Sequence, residues 1–464
     1  MNGYAHRSHE ILIAQLNTNQ IEVHALTSPW YPERKTLDTP LELGGITYHR
    51  CLHPALLPAS GGPFKRSVAR RGKRKRSKYN PQQQMQVSKV TKGVGFVFYR
   101  SIMLTKKYII RPIIRLKRAI FSKIKPRFEP FALLTEEKII IKHFVERIID
   151  LAQEIQPDII HAHTPYRVGA PALIAARKLG IPFVYEMRGA WEETAVANGR
   201  WKSGGLAHRR FKRKETEVLR AADAVVCIGN SLKENAVSRG INKDKITVVP
   251  NGASEETMLN PIQDEQIAAH RKKLHSMDGK STVGYIGSIQ ALEGLEYLVD
   301  ALAILKEKGE LHRLLIVSAS DKTELIDYIE TKGLSSQAMV IGPIDRDKIS
   351  NYYSMIDIFC VPRPRIRVAE LVTPLKPMES MMAGCATVVS DLPALKELVS
   401  DGDTGRIFEA ENSLHLSQII NELSEDNEKR EELGVNAKEW IQENRLWPSI
   451  VKRYIPIYES LKKP

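Results

Sequence analysis

Short apolar runs alternate along this chain with longer stretches in which apolar positions recur every three or four residues. The runs IEVHALT at 21–27, DIIHAHT at 158–164, FVYEM at 183–187, AVVCIG at 224–229 and ITVVP at 246–250 read as strands. After PNGASEETMLNP at 250–261, rich in turn formers and read as a linker, the rhythm restarts. TVGYIGS at 282–288, RLLIVSA at 313–319, MVIG at 339–342, DIFCVP at 357–362 and ATVVSD at 386–391 form a second set. Amphipathic stretches between them, such as 134–155, 169–179 and 294–308, read as helices. Strand and helix in alternation predict βαβ units and parallel sheets. The expected fold is α/β: two doubly wound parallel-sheet domains facing a cleft, residues 1–256 and 257–442. The tail 443–464 reads as a helix, kinked at Pro456, that crosses back to the first domain. Ligands in such sheets sit at the carboxyl ends of the strands.

The first domain lacks one expected piece. NGYAHRSHEILIAQL reads as a glycine turn followed by a helix, with no strand ahead of it. Losing a central strand of about five buried residues costs on the order of 10 kcal/mol, as much as a domain's whole stability. The expectation is that the natural start lies upstream of Met1.

Composition narrows the class. At 464 residues the chain suits two domains, and 42% apolar with 27% charged residues is ordinary for a globular protein. Four scattered cysteines give no CxxC pair, which argues against a zinc site or a disulfide framework and fits a reducing cytosol. There is no apolar run of 18 residues, and the first ten residues have no apolar core of the signal-peptide kind. The net charge of +15 is concentrated. Residues 65–127 hold 21 Lys and Arg and no acid, leaving 48 basic against 54 acidic residues elsewhere. Within this insertion (about 60–130), residues 100–125 place Ile109, Ile113, Leu116, Ile120 and Ile124 on one helical stripe, with cations opposite. A basic amphipathic helix beside the run RRGKRKRSK suits an anionic membrane surface, here expected to be met through residues 65–125. No nucleic-acid-binding motif accompanies the charge, so nucleic acid is not an expected partner.

The segment 370–391, ELVTPLKPMESMMAGCATVVSD, carries the chemistry. A Pro-framed turn opening a helix presents backbone N–H groups to an anion, and Glu379 near that start can grip a ribose hydroxyl pair. Together they form a seat for a nucleotide diphosphate.

With NGYAHRSHEIL, DIIHAHTP, GIPFVYEMRGAWE, ITVVPNGA, GYIGSIQALEGLEYLVDAL and LKELVSDGDTGRIFE, this segment resembles the retaining glycosyltransferases of family 4, the group 1 enzymes. Their GT-B fold has two Rossmann-like domains. The resemblance covers most of the chain outside the basic insertion and is nearest a subgroup of exopolysaccharide and exosortase-associated enzymes. It implies a UDP- or GDP-linked sugar donor, a lipid-linked or saccharide acceptor and retention of anomeric configuration, and with no paired-Asp ligand motif in the sequence no metal is expected. It also implies work in bacterial surface polysaccharide synthesis, cytoplasmic and peripheral at the inner face of the plasma membrane.

The resemblance assigns donor contacts to Glu379, to the amides around Thr373 and Leu375, to Gly287 and Ser288, and to Gly3. Glu370 is the candidate first acid of the family's paired glutamates, although it stands one residue off the usual spacing. Two cations expected in the glycine loop are replaced by Ser288 and Glu293. A leaving diphosphate needs positive charge, and the substitutes are Lys376 first and Arg363 second. Arg365 and Arg367 read as solvated. On the acceptor side the candidates are His163, beside His161, and Glu186, Glu193 and Arg188. Arg188 stands where relatives carry a catalytic histidine, and an arginine cannot act as a base at neutral pH. The alternatives are a sugar-nucleotide 2-epimerase on the same fold, or a scaffold protein with a degenerate cleft.

Overall fold

The computed structural model describes residues 3–30, 40–54, 136–254 and 264–462. The basic insertion and the amphipathic stretch 100–125 lie outside the described residues. The chain divides into two compact units. The first comprises Met1–His24, Glu42–Thr47 and Ile155–Pro464, and the second Ala25–Leu41 and Tyr48–Glu154. Three short strands, β1 (His24–Leu26), β2 (Leu41–Leu43) and β3 (Ile46–His49), form a small sheet in the order β1-β3-β2.

The large unit holds two parallel sheets. The first contains β4 (Ile160–His163), β5 (Phe183–Met187), β6 (Ala224–Cys227) and β7 (Ile246–Val248) in sequential order. Each successive pair is joined by helical crossovers, such as Tyr166–Leu179 between β4 and β5. The second contains β8 (Thr282–Ile286), β9 (Arg313–Val317), β10 (Ala338–Ile341), β11 (Ile358–Val361), β12 (Ala386–Ser390) and β13 (Arg406–Phe408). Its order is β10-β9-β8-β11-β12-β13 and all its pairings are parallel. This is the doubly wound order, which reverses direction between β8 and β11 and opens a crevice there. Strands β8, β11 and β12 are buried along their whole length, which explains their unbroken apolar runs. The two Rossmann-like domains expected from the alternation are therefore present.

Two elements differ from the sequence reading. The linker opens on Asn251, Gly252 and Ala253, all buried. The Ala253 N–H donates to Arg445 O at 2.7 Å and the Trp447 N–H to Ala253 O at 3.3 Å, so the chain's last segment pins this crossing. The tail is not one kinked helix. It is two short helices, Trp447–Val451 and Ile455–Glu459, joined by a single 3-10 turn. Pro448 and Pro456 each sit in a first turn, where a missing N–H costs nothing. Trp447, Ile450, Val451, Tyr454 and Ile457 share an apolar cluster with Ile11, Ala14, Val184, Val226 and Val249. The tail thus packs on the first sheet and on the opening helix Gly3–Leu16. Among the described residues no helix is long and apolar enough to cross a membrane.

Candidate active site

The loops leaving β8 and β11 meet the turn at 372–376 at the switch point. Lys376 lies across Gly287, where a Cβ would stand only 2.1 Å from the lysine Cε. Any side chain here would displace the lysine from its present path. The Lys376 ammonium donates to Glu293 Oε1 at 2.7 Å and lies 5.5 Å from the Tyr285 ring centroid. Arg363 approaches the same carboxylate in a fork, Nε at 3.2 Å and Nη2 at 3.1 Å, while its Nη1 donates to Val372 O. Gly294 holds this geometry close. Its φ is +66°, and a Cβ there would be 2.1 Å from Pro362 O. Glu293 is only 2% exposed. Burial works to raise its carboxyl, but Arg363 and Lys376 outweigh burial and hold it at about 2. Burial lowers the Lys376 ammonium, against the pull of Glu293. The Tyr285 hydroxyl donates to Ser288 O at 3.0 Å, fixing the loop after β8.

Glu379 sits in the helix Lys376–Met382, where the Tyr353 hydroxyl donates to its Oε2 at 3.0 Å. With Leu375, Met378, Glu10, Arg346 and Ser254 it lines a pocket. Glu10, from the opening helix, is held by Arg346 Nη2 at 2.7 Å and Trp447 Nε1 at 3.1 Å. Burial raises its carboxyl. Thr373 is buried. Its carbonyl accepts from Asn251 Nδ2 at 3.0 Å, and its hydroxyl has no hydrogen-bond partner among the described residues. Glu370 pairs with Arg367 at 3.0 Å. Arg365 Nη2 donates to both Asp391 carboxylate oxygens, at 2.7 and 2.9 Å, and both outer arginines lie exposed at the surface, as the sequence suggests.

A second cluster forms at the carboxyl ends of β4 and β5. Alternation along β4 puts His161 and His163 on one face, and β5 supplies Glu186 opposite His163. Glu186 is fully buried. Its Oε1 accepts from Arg188 Nε at 2.6 Å and Arg7 Nη2 at 3.2 Å, and its Oε2 from the Tyr454 hydroxyl at 2.8 Å. Burial works to raise this carboxyl, yet Arg188 and its other partners hold it well below the usual range. Arg188 also reaches Ser8 Oγ and His163 Nε2, each at 2.8 Å. Burial, with Arg188 next, pulls His163 well below its ordinary value, so its ring stays neutral. His161 Nδ1 pairs with the Tyr458 hydroxyl at 2.8 Å. Glu193 pairs with His208 at 3.1 Å, away from this cluster. Gly3 begins the opening helix.

His161, His163 and Glu186 bring possible metal-ligating atoms within 4.8 Å of one another. Two guanidinium groups already occupy the carboxylate. A divalent ion would have to displace them or share the space with like charge, so the trio serves better as an ion-pair network.

Lys376, Arg363, Gly287 and Ser288 gather at one place, and Glu379, Leu375 and Thr373 lie on the same turn and helix. His163, Glu186 and Arg188 form the other group, while Glu370 and Glu193 join neither. The sequence reading noticed Glu293 only as a missing cation. Tyr454 and Tyr458 were read only as part of a tail. An acid directly before the loop glycine, with no cation left in that loop, was the available signal for Glu293.

Two parallel-sheet domains with charged groups at the switch point and at the strand ends are the arrangement of the GT-B fold. The profile described as glycosyl transferases group 1 matches residues 266–440, and that of glycosyltransferase family 4 matches 117–257. The chain belongs to the group 1, family 4 glycosyltransferases. It is 22% identical over 332 residues to the capsular polysaccharide biosynthesis glycosyltransferase CapM of Staphylococcus aureus, covering 71% of this chain and 82% of that one. Sucrose-phosphate synthase from Thermosynechococcus elongatus has a similar structure, with a TM-score of 0.67, 16% identity, and 99% and 94% of the two chains covered. Anabaena HepE in complex with UDP aligns with a TM-score of 0.56 and 20% identity over 68% of this chain and 82% of that one.

Proposed function

We propose that this glycosyltransferase moves a sugar from a UDP- or GDP-linked donor to a lipid-linked or saccharide acceptor, with retention, in bacterial surface polysaccharide synthesis. The observation that carries this reading is the convergence of Lys376 and Arg363 on the loop after β8, one helical turn from Glu379. Glu379 would take the ribose hydroxyls, and the amides around Thr373, Leu375, Gly287 and Ser288 the pyrophosphate. Gly3 would face the donor from the other domain, and Glu370 would have to turn from its ion pair with Arg367 to reach the sugar. The UDP held by HepE and the polysaccharide role named for CapM support the donor class and the pathway class.

In the step proposed, the bond from the anomeric carbon to the donor phosphate breaks. The acceptor oxygen bonds to that carbon on the same face, and the acceptor proton passes to the leaving phosphate oxygen. Lys376 and Arg363 would meet the charge growing on the diphosphate. His163 and Arg188 would orient the sugar and acceptor. Glu186, locked by Arg7, Arg188 and Tyr454, would position them, with Glu193 acting through His208. No step needs a metal, so chelator should leave the rate unchanged. The enzyme would work in the cytoplasm, at the inner membrane face, with residues 65–125 on anionic lipid and no nucleic acid as partner.

The test is product analysis with a panel of UDP- and GDP-sugars, comparing the wild type with Lys376→Ala and Arg363→Ala. A loss of about 100-fold or more in turnover for Lys376→Ala is expected, the size of one lost charge stabiliser. Wild-type turnover in both variants would overturn the assignment of the leaving-group cations, and an epimerised donor without transfer would overturn the reaction class.

A further inference from the structure

The helix Leu206–Ala221 has two unlike faces. His208, Phe211, Glu215, Val218 and Leu219 are buried against the first domain. The opposite stripe, at spacings of three and four, begins with Leu206, Arg209 and Arg213. Leu206 is 86% exposed, the most exposed large apolar side chain among the described residues. Arg209 and Arg213 are exposed, and so are Arg200 and Lys202 in the loop that leads in. From Arg200 through Lys214 the chain carries seven Lys and Arg and no acid. The first outward acid, Glu217, pairs with Arg213 at 3.5 Å in the helix's second half. The cationic end is therefore the amino end.

Topology fixes where that end lies. The helix crosses from β5 back to β6, two parallel neighbours, so its amino end stands at the carboxyl edge of the sheet. That edge carries His163, Glu186 and Arg188. His208, in the helix's first turn, is tied to Glu193 in the short helix that follows Arg188.

We propose that Leu206 and the surrounding Arg200, Lys202, Arg209 and Arg213 form a docking surface for an anionic lipid bilayer. It places the acceptor edge of the first sheet at the membrane. The cations complement phosphate headgroups, and Leu206 enters the acyl boundary, an apolar demand that a nucleic-acid surface would not make. The surface is independent of the donor chemistry and uses different residues from the 65–125 segment.

The experiment is co-sedimentation of the full chain with vesicles of phosphatidylglycerol and phosphatidylcholine in equal parts, and of phosphatidylcholine alone, at low and high salt. Compared are the wild type, Leu206→Ser, the double variant Arg209→Gln with Arg213→Gln, and a variant with Lys73, Arg74, Lys75 and Arg76 changed to Gln. The expected result is salt-sensitive binding to the anionic vesicles. It should weaken about 30-fold in the arginine pair variant and about tenfold in Leu206→Ser, with transfer to a soluble acceptor unchanged. Full binding by both helix variants, with loss confined to the 73–76 variant, would overturn this surface and leave the 65–125 reading standing. Absence of binding by the wild type, or preference for a short nucleic-acid duplex over vesicles, would overturn both.

Discussion

Glu293 and Lys376 are 83 residues apart in the chain and meet at 2.7 Å, an acid from the loop after β8 holding a lysine from the turn after β11. Because Arg363 shares that carboxylate, the three groups together carry one net positive charge. Glu293→Gln would leave two cations facing each other in a buried site. The variant should lose roughly 3–5 kcal/mol of stability, the usual cost of stranding a buried charge. Lys376, already lowered by burial, would lose the neighbour that raises it. The alkaline limb of the pH–rate profile should therefore move to lower pH. An unmoved limb, with stability intact, would show that Glu293 does not govern the lysine.

Glu379→Ala should raise the donor KM by roughly 10- to 100-fold, the worth of hydrogen bonds to a charged group, with a smaller effect on kcat. Tyr353→Phe removes the hydroxyl that donates to Glu379 at 3.0 Å and should give a weaker form of the same change. Initial-rate kinetics over a donor series would show it. A pure kcat loss would move Glu379 from ribose binding to another role.

Glu215 makes the protein sensitive to alkali. It is buried beneath Tyr166, whose N–H donates at 2.7 Å, and accepts from the Tyr185 hydroxyl. Burial pushes its carboxyl up to about 7 from an ordinary 4.5. The folded state then binds the proton more tightly than the unfolded chain, so this contribution is fully present below pH 4.5 and is lost as pH rises through 7. The loss approaches about 3 kcal/mol. Denaturant titrations at several pH values should show Glu215→Gln gaining on the wild type across that window. Parallel curves would refute the shift.

Glu397 reaches from the second domain to the helix Asn230–Ser238 of the first. It accepts from the N–H groups of Asn230 and Ser231, both at 2.9 Å, and from Ser231 Oγ at 3.0 Å. A carboxylate at a helix amino end is worth roughly 1–2 kcal/mol. Glu397→Ala should lower the thermal midpoint by a few degrees and enlarge the radius of gyration without donor, as the domains lose a clasp. An unchanged radius would make it a cap and nothing more.

Much of this was legible in the sequence because parallel strands buried on both faces leave unbroken apolar runs. Strands β4 to β12 fall on or inside the runs AVVCIG, ITVVP, ATVVSD and their kin, except that β10 starts one residue ahead of its run, at Ala338. β13 was not read because three residues, RIF, are too short to stand out from a turn. Lys376 and Arg363 stand out in the sequence as the cations nearest the turn because the loop lacks its own, and the structure brings both to that loop. Glu293 was not, since its meaning depends on two partners 70 and 83 positions away. The buried start of the linker was missed for a similar reason. Asn251 and Gly252 look like turn formers until the tail arrives to cover them.

That arrival has a consequence for how the protein is made. The Tyr454 hydroxyl donates to Glu186, 268 residues earlier, and Tyr458 pairs with His161. During synthesis β4 and β5 emerge long before these tyrosines exist. The strand ends at His161 and Glu186 must wait for nearly the whole second domain to leave the ribosome before their shell closes. A chain cut after the helix Asn427–Asn444 would hold every strand of both sheets and yet leave the ends of β4 and β5 uncovered.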